Sequence, residues 1–111
     1  MNISYLCFMT DTIRNKKQII ELLKQNDQKI KSFGVSKIGL FGSFVKNIQN
    51  KNSDIELIVE FEEGGKSYSK FISLAFFLEE LLGRKVDLLT DKSLSPHLGH
   101  YILNETEYVP L

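Results

Sequence analysis

The stretch Asp54-Ile-Glu-Leu-Ile-Val-Glu-Phe61 constrains this chain more than any other part of it. Ile55, Leu57, Val59 and Phe61 alternate with Asp54, Glu56, Ile58 and Glu60. Successive side chains of an extended strand point to opposite faces, so this order predicts a strand with one well-buried face. Asp54 and Glu56 lie two residues apart and therefore project from the same face. They stand at the start of the strand, where a polar face need not be fully buried.

Around this strand the sequence reads as a mixture of helices and short strands. Ile19, Ile20, Leu22 and Leu23 among Lys16, Lys17, Glu21 and Lys24 predict an amphipathic helix from about Thr12 to Asn26. The lysines form its solvated face. A short helix over Asp27 to Phe33 packs Ile30 and Phe33, and Gly34 ends it. Val35 to Phe41 reads as a strand broken by Gly42-Ser43, followed by at most a turn of helix and a polar loop through Asn52. The loop at Gly64-Gly65 leads to a helix over Ser69 to Leu82 with apolar residues at helical spacing, which Gly83 terminates. Phe71, Phe76 and Phe77 give that helix more apolar surface than one face needs; core packing is the plain reading and a partner-docking patch the alternative. Lys85 to Thr90 predicts a third strand. Ser95-Pro96 opens a short helix to about Leu103, and Tyr108-Val109 predicts an edge strand. The fold class is α/β (α+β), a small mixed β-sheet flanked by helices.

At 111 residues the chain has room for one core, so an active site here is open or shared with a partner. Lys plus Arg and Asp plus Glu balance at 14 each, which argues against a dedicated nucleic-acid or membrane-surface binder. Cys7 is the single cysteine, so neither an internal disulfide nor a cysteine-based zinc site is available, in keeping with a cytoplasmic protein. No apolar run approaches the roughly 18 residues of a membrane span. Residues 1–11 read as an N-terminal extension to a domain over 12–111. Its apolar stretch from Ile3 to Met9 is an extra strand, a lead-in, or sequence upstream of a start at Met9.

Two carboxylates side by side repel unless a cation sits between them, and a hard divalent ion answers that need. The same pair also arises on solvated strand edges without function. Asp87, on the polar side of the third strand, would make three convergent acids if the two strands are neighbours in similar register. Three acids suit two ions roughly 4 Å apart, clamping the oxygens of a phosphoryl transfer. A glycine at Gly42 lets backbone amides approach a phosphate, and the Ser43 hydroxyl can donate to it. Taken alone, Gly-Ser is equally a plain turn, and it is not a Walker A loop. His97 and His100 are three apart on a helix, a spacing open to a metal, but a solvated helix face accounts for them.

Taken together, Gly39-Leu-Phe-Gly-Ser43, ten intervening residues and Asp54-Ile-Glu56 resemble the polymerase-β-type nucleotidyltransferase superfamily, nearest to its minimal nucleotidyltransferase (MNT) group. Arg84-Lys-Val-Asp-Leu-Leu89 resembles the segment carrying that group's third acid. The resemblance implies that Gly42 and Ser43 contact a triphosphate, aided by Lys46. It implies that Asp54, Glu56 and Asp87 hold two Mg²⁺ ions as metal ligands and catalytic residues. The implied reaction is attack of an acceptor hydroxyl on the α-phosphate of a nucleoside triphosphate, ATP in the first instance. The group is often paired with a HEPN-domain protein in toxin–antitoxin modules, which implies an antitoxin that adenylylates a tyrosine of its partner. Two departures stand out. Glu56 replaces the more usual Asp, and Val45-Lys-Asn-Ile48 replaces the usual Ala-Arg-Gly-Glu. Lys46 keeps the charge without the planar fork of Arg. A contact-only binding module that neutralises or assembles with a partner is the alternative function, and a homo-oligomer is compatible with either.

Overall fold

The computed structural model describes residues 15–50, 52–64 and 67–111, apart from the side chain of Leu98. The apolar stretch Ile3 to Met9 and the boundary at residue 11 lie outside the described residues. The first helix, α1, spans Lys16–Gln25. It starts four residues later than periodicity suggests because Asn15 caps it: the Gln18 amide donates to Asn15 Oδ1 at 3.0 Å, and Asn15 N–H donates to Gln18 Oε1 at 3.3 Å. This reciprocal pair satisfies two amides that the first helical turn leaves over. Helix α2 covers Asp27–Ser32 and strand β1 Val35–Phe41. Then follow the single turn α3 (Ser43–Lys46), β2 (Ile55–Phe61), α4 (Tyr68–Leu82) and β3 (Val86–Thr90). After a 3-10 turn come α5 (Pro96–Glu105) and β4 (Glu107–Val109).

The four strands form one mixed sheet in the order β3-β2-β1-β4. Strand β1 runs antiparallel to both β2 and β4, while β2 and β3 are parallel. A parallel pair cannot be closed by a tight turn, so α4 serves as the crossover between them. One face of the sheet presents Ile38, Leu40, Ile55, Leu57, Val59, Val86, Leu88 and Val109, all buried. Ile19 and Leu23 of α1, Ile30 of α2 and Leu74, Leu78 and Leu82 of α4 pack on that face as one continuous core. Each such side chain contributes about 1.5–3 kcal/mol when removed from water. The alternation in β2 is thus an imprint of the core lying on one side only.

Several element ends differ from the sequence reading. Helix α4 begins at Tyr68 because Ser67 Oγ accepts from the Lys70 amide at 3.1 Å. Helix α5 runs to Glu105, two residues beyond Leu103, with consequences for the site. Lys16 is not simply solvated: its Nζ pairs with Glu107 at 2.7 Å, tying α1 to β4. Of the three phenylalanines on α4, Phe71 and Phe77 pack at the core margin, with Phe77 5.7 Å from the Phe33 ring, whereas Phe76 is exposed. His97 and His100 are exposed, His97 meets Tyr101 edge-on, and among the described residues neither joins a cluster of further ligands. Among the described residues no helix is long and apolar enough to cross a membrane.

Candidate active site

The second face of the sheet carries the candidate residues, and register brings them together. Phe41 pairs with Glu56 across the antiparallel ladder, and Glu56 pairs with Asp87 across the parallel one. Phe41, Glu56 and Asp87 therefore lie in one row across three strands, each about 4.8 Å from the next. Partners in register share a face, so the Glu56 and Asp87 side chains project together. Asp54 stands just before β2, whose first residue, Ile55, donates its amide to Lys85 O at 2.9 Å. That bond carries the β2–β3 ladder back to the start of the strand, with Asp54 two residues from Glu56. Asp54 and Asp87 are exposed and Glu56 is half-buried. Further along this face Ile58 is buried in register with Gly39 and Leu89. Beyond Ile58 the same face carries Glu60 in register with the exposed Lys37, so the pair Glu56 and Asp87 lies at the end where β1 stops.

At that end stands the Gly42-Ser43 turn. Gly42 has φ +80° and ψ −146°, a region essentially closed to residues with a Cβ. Its position is doubly restricted, because a Cβ at Gly42 would collide with Oε2 of Glu56. The close approach lets the Ser43 amide donate to Glu56 Oε2 at 3.2 Å. Gly39 has a different reason to be glycine: a Cβ there would run into the Thr106 methyl. Its bare backbone admits the chain where α5 passes into β4. The turn of α3 closes with Asn47 in left-handed conformation at φ 58°, the only non-glycine with positive φ among the described residues. Asparagine tolerates this conformation better than most residues, so its replacement of the usual glycine leaves the turn intact.

One participant escaped sequence reasoning. Glu105, the last residue of α5, accepts a hydrogen bond from Gly42 N–H at 3.2 Å through Oε1. Its Oε2 lies 3.3 Å from Lys46 Nζ. The helix was expected to stop at Leu103, and nothing local links residue 105 to residue 42. The backbone amides and the ammonium expected to meet phosphate thus meet carboxylates in this structure, Glu56 at Ser43 and Glu105 at Gly42 and Lys46.

The structure thus brings Gly42, Ser43, Lys46, Glu56 and Asp87 to one corner of the sheet, with Asp54 at its edge. A divalent cation is tested by the donors available. All are hard carboxylate oxygens, and Glu56 and Asp87 are side by side, which suits Mg²⁺. Among the described residues no three acids or histidines are gathered into a finished ion cage, and Glu56 is turned toward the Ser43 amide.

The structure sets Glu56 and Asp87 in register beside a glycine–serine turn, with Asp54 two residues before Glu56. A family model described as nucleotidyltransferase domain matches residues 16–109, and the chain belongs to that family, in its minimal form. Protein adenylyltransferase MntA of Thermococcus cleftensis is 44% identical over 77 residues, covering 69% of this chain and 77% of the relative. A structure described as a candidate minimal nucleotidyltransferase superposes with TM-score 0.66 at 29% identity, covering 90% of this chain and 99% of that one. A toxin–antitoxin crystal structure with AMP-PNP matches with TM-score 0.62 at 28% identity, covering 86% of this chain and 72% of that chain. The fold expected from sequence, a small mixed sheet with flanking helices, is the fold of these proteins, and the chain is a nucleotidyltransferase enzyme by family.

Proposed function

We propose that this protein transfers AMP from ATP, in a magnesium-dependent reaction, to a hydroxyl of a HEPN-domain partner, a tyrosine in the first instance, and so acts as a cytoplasmic antitoxin. The observation that carries the chemistry is the row Phe41–Glu56–Asp87, which sets two acids beside the Gly42-Ser43 turn with Asp54 at their edge. Support for the biological role comes from the similar proteins: one is named a protein adenylyltransferase, and another is a toxin–antitoxin structure with a nucleotide analogue.

In this reading Gly42 N–H, Ser43 and Lys46 orient the triphosphate. Asp54, Glu56 and Asp87 would hold Mg²⁺, which when bound neutralises charge on the phosphate oxygens and draws the leaving group away. The acceptor oxygen forms a bond to the α-phosphorus as the bond to the β-phosphate oxygen breaks, and pyrophosphate departs. Asp87, the most exposed strand acid of the row, takes the acceptor proton. No protein nucleophile is required.

The test is calorimetric titration of ATP with and without Mg²⁺, on the protein and on Asp54→Asn, alone and with the partner. Magnesium-dependent binding that the substitution abolishes is the expected result. Absence of binding in the wild-type protein, alone and in complex, would leave neutralisation by contact as the function.

A further inference from the structure

Arg84 lies on no strand and in no acidic row, yet it touches the segments next to three site residues. Its Nη1 donates to the carbonyl oxygen of Ser53 at 2.9 Å and to that of Asn50 at 3.2 Å. Ser53 immediately precedes Asp54. The guanidinium carbon lies 5.3 Å from the centre of the Phe44 ring, and Phe44 immediately follows Ser43. Arg84 itself stands three residues before Asp87, in the short link from α4 to β3.

We propose that Arg84 is a positioning residue for the metal-binding acids: it clamps the loop before Asp54 against the Ser43 turn and the start of β3. The proposal rests on the reading of the site given above. Its physical basis is that Asp54, unlike Glu56 and Asp87, stands outside the strand ladder. Glu56 and Asp87 are held within the ladder, with paired residues before and after each of them. Asp54 has a paired residue only after it, and the segment before it is a polar turn closed by short-range bonds, Ser53 N–H to Asn50 O at 3.1 Å and Asn50 N–H to Ser53 Oγ at 2.8 Å. Such a turn is compact but needs an anchor to the body of the protein. The guanidinium supplies one by donating from Nη1 to two carbonyls while its carbon lies over a buried ring. Phe44 is 1% exposed, so the surface on which Arg84 rests is itself part of the core. A lysine at this position keeps the charge but lacks the planar group that lies over the Phe44 ring.

The test uses Arg84→Lys and Arg84→Ala in the full chain, with MgCl₂ and ATP as probes. Three quantities are read: the Mg²⁺ concentration giving half-maximal ATP binding, the ATP affinity at saturating Mg²⁺, and amide hydrogen exchange across 52–55. Loss of a group that orients metal ligands costs about 10–100-fold in metal affinity. Both variants are therefore expected to shift the half-maximal Mg²⁺ concentration upward by at least about tenfold, with faster exchange at 52–55. ATP affinity at saturating Mg²⁺ recovers, and methylguanidinium partly restores Arg84→Ala. A merely structural role would lower melting temperature and saturated affinity together without moving the magnesium midpoint. An unchanged midpoint in variants that remain folded, beside a magnesium-dependent wild type, overturns the assignment of Arg84 alone. A wild type that shows no magnesium-dependent binding, alone or with its partner, overturns the proposed function and this inference with it.

Discussion

Substitution of Gly42 by alanine isolates what the turn contributes, because a second glycine supplies the control. Both Gly42 and Gly64 have positive φ, +80° and +75°. At Gly64 an added Cβ meets nothing within 4 Å, whereas at Gly42 it meets the Glu56 carboxylate. Gly64→Ala therefore reports backbone strain alone, about 1–2 kcal/mol for a left-handed residue. Gly42→Ala adds a collision and a less permissive ψ, so its strain lies toward the upper end of about 1–3 kcal/mol. For a domain near 100 residues, 1 kcal/mol corresponds to roughly 4–8 °C in melting temperature. Thermal denaturation should place Gly42→Ala roughly 5–10 °C below Gly64→Ala. The functional difference is sharper. A Cβ at position 42 displaces Glu56 from the Ser43 amide and forces its carboxylate away from the turn. Magnesium-dependent ATP binding, followed by calorimetry, should fall at least about tenfold in Gly42→Ala and remain unchanged in Gly64→Ala. Equal melting temperatures together with equal ATP binding in the two variants would refute the claim that the turn and Glu56 form one unit.

Two further outcomes follow from contacts at the margins of the site. Glu105→Gln removes an anion that engages Gly42 N–H and Lys46, so ATP binding should tighten by roughly two- to fivefold, the scale of a partly exposed ion pair. Weaker binding would mean that Glu105 holds the turn in shape for the nucleotide. Burial pushes the Tyr108 phenol above its ordinary pKa, with repulsion from Glu60 and Asp91 and a hydrogen bond to Glu60 acting in the same direction. The folded state thus holds this proton more tightly than the unfolded chain does. Its stabilising effect is complete below about pH 10 and disappears as pH rises through the folded value. Urea unfolding across this range should show a fall in stability that Tyr108→Phe flattens, and an identical pH profile in the two proteins would refute the linkage.

The elements of this protein were written locally. Alternation in Asp54 to Phe61, helical spacing in α1 and α4, and the glycines at 34, 42 and 83 needed only neighbouring residues to be read, because each reflects which side of one segment faces the core. Element ends were less legible where a cap decided them, as Asn15 does for α1 and Ser67 for α4. The pairing of Asp54 with Glu56 was also visible, since a strand's period of two is a property of the backbone. Asp87 was a different matter: its place beside Glu56 depends on a parallel ladder between strands joined by a fifteen-residue helix. Periodicity along one strand carries no information about the register of another. Glu105 and the contacts of Arg84 were silent in the sequence for the same reason. Their partners lie 63 residues away at Gly42 and 31 away at Ser53. Sequence alone thus determined which segments become strands and helices and which acids share a face, through short-range backbone geometry. Only the tertiary structure decided which of those acids meet and what holds Asp54 and the turn in place, because chain packing alone brings distant residues within hydrogen-bond reach.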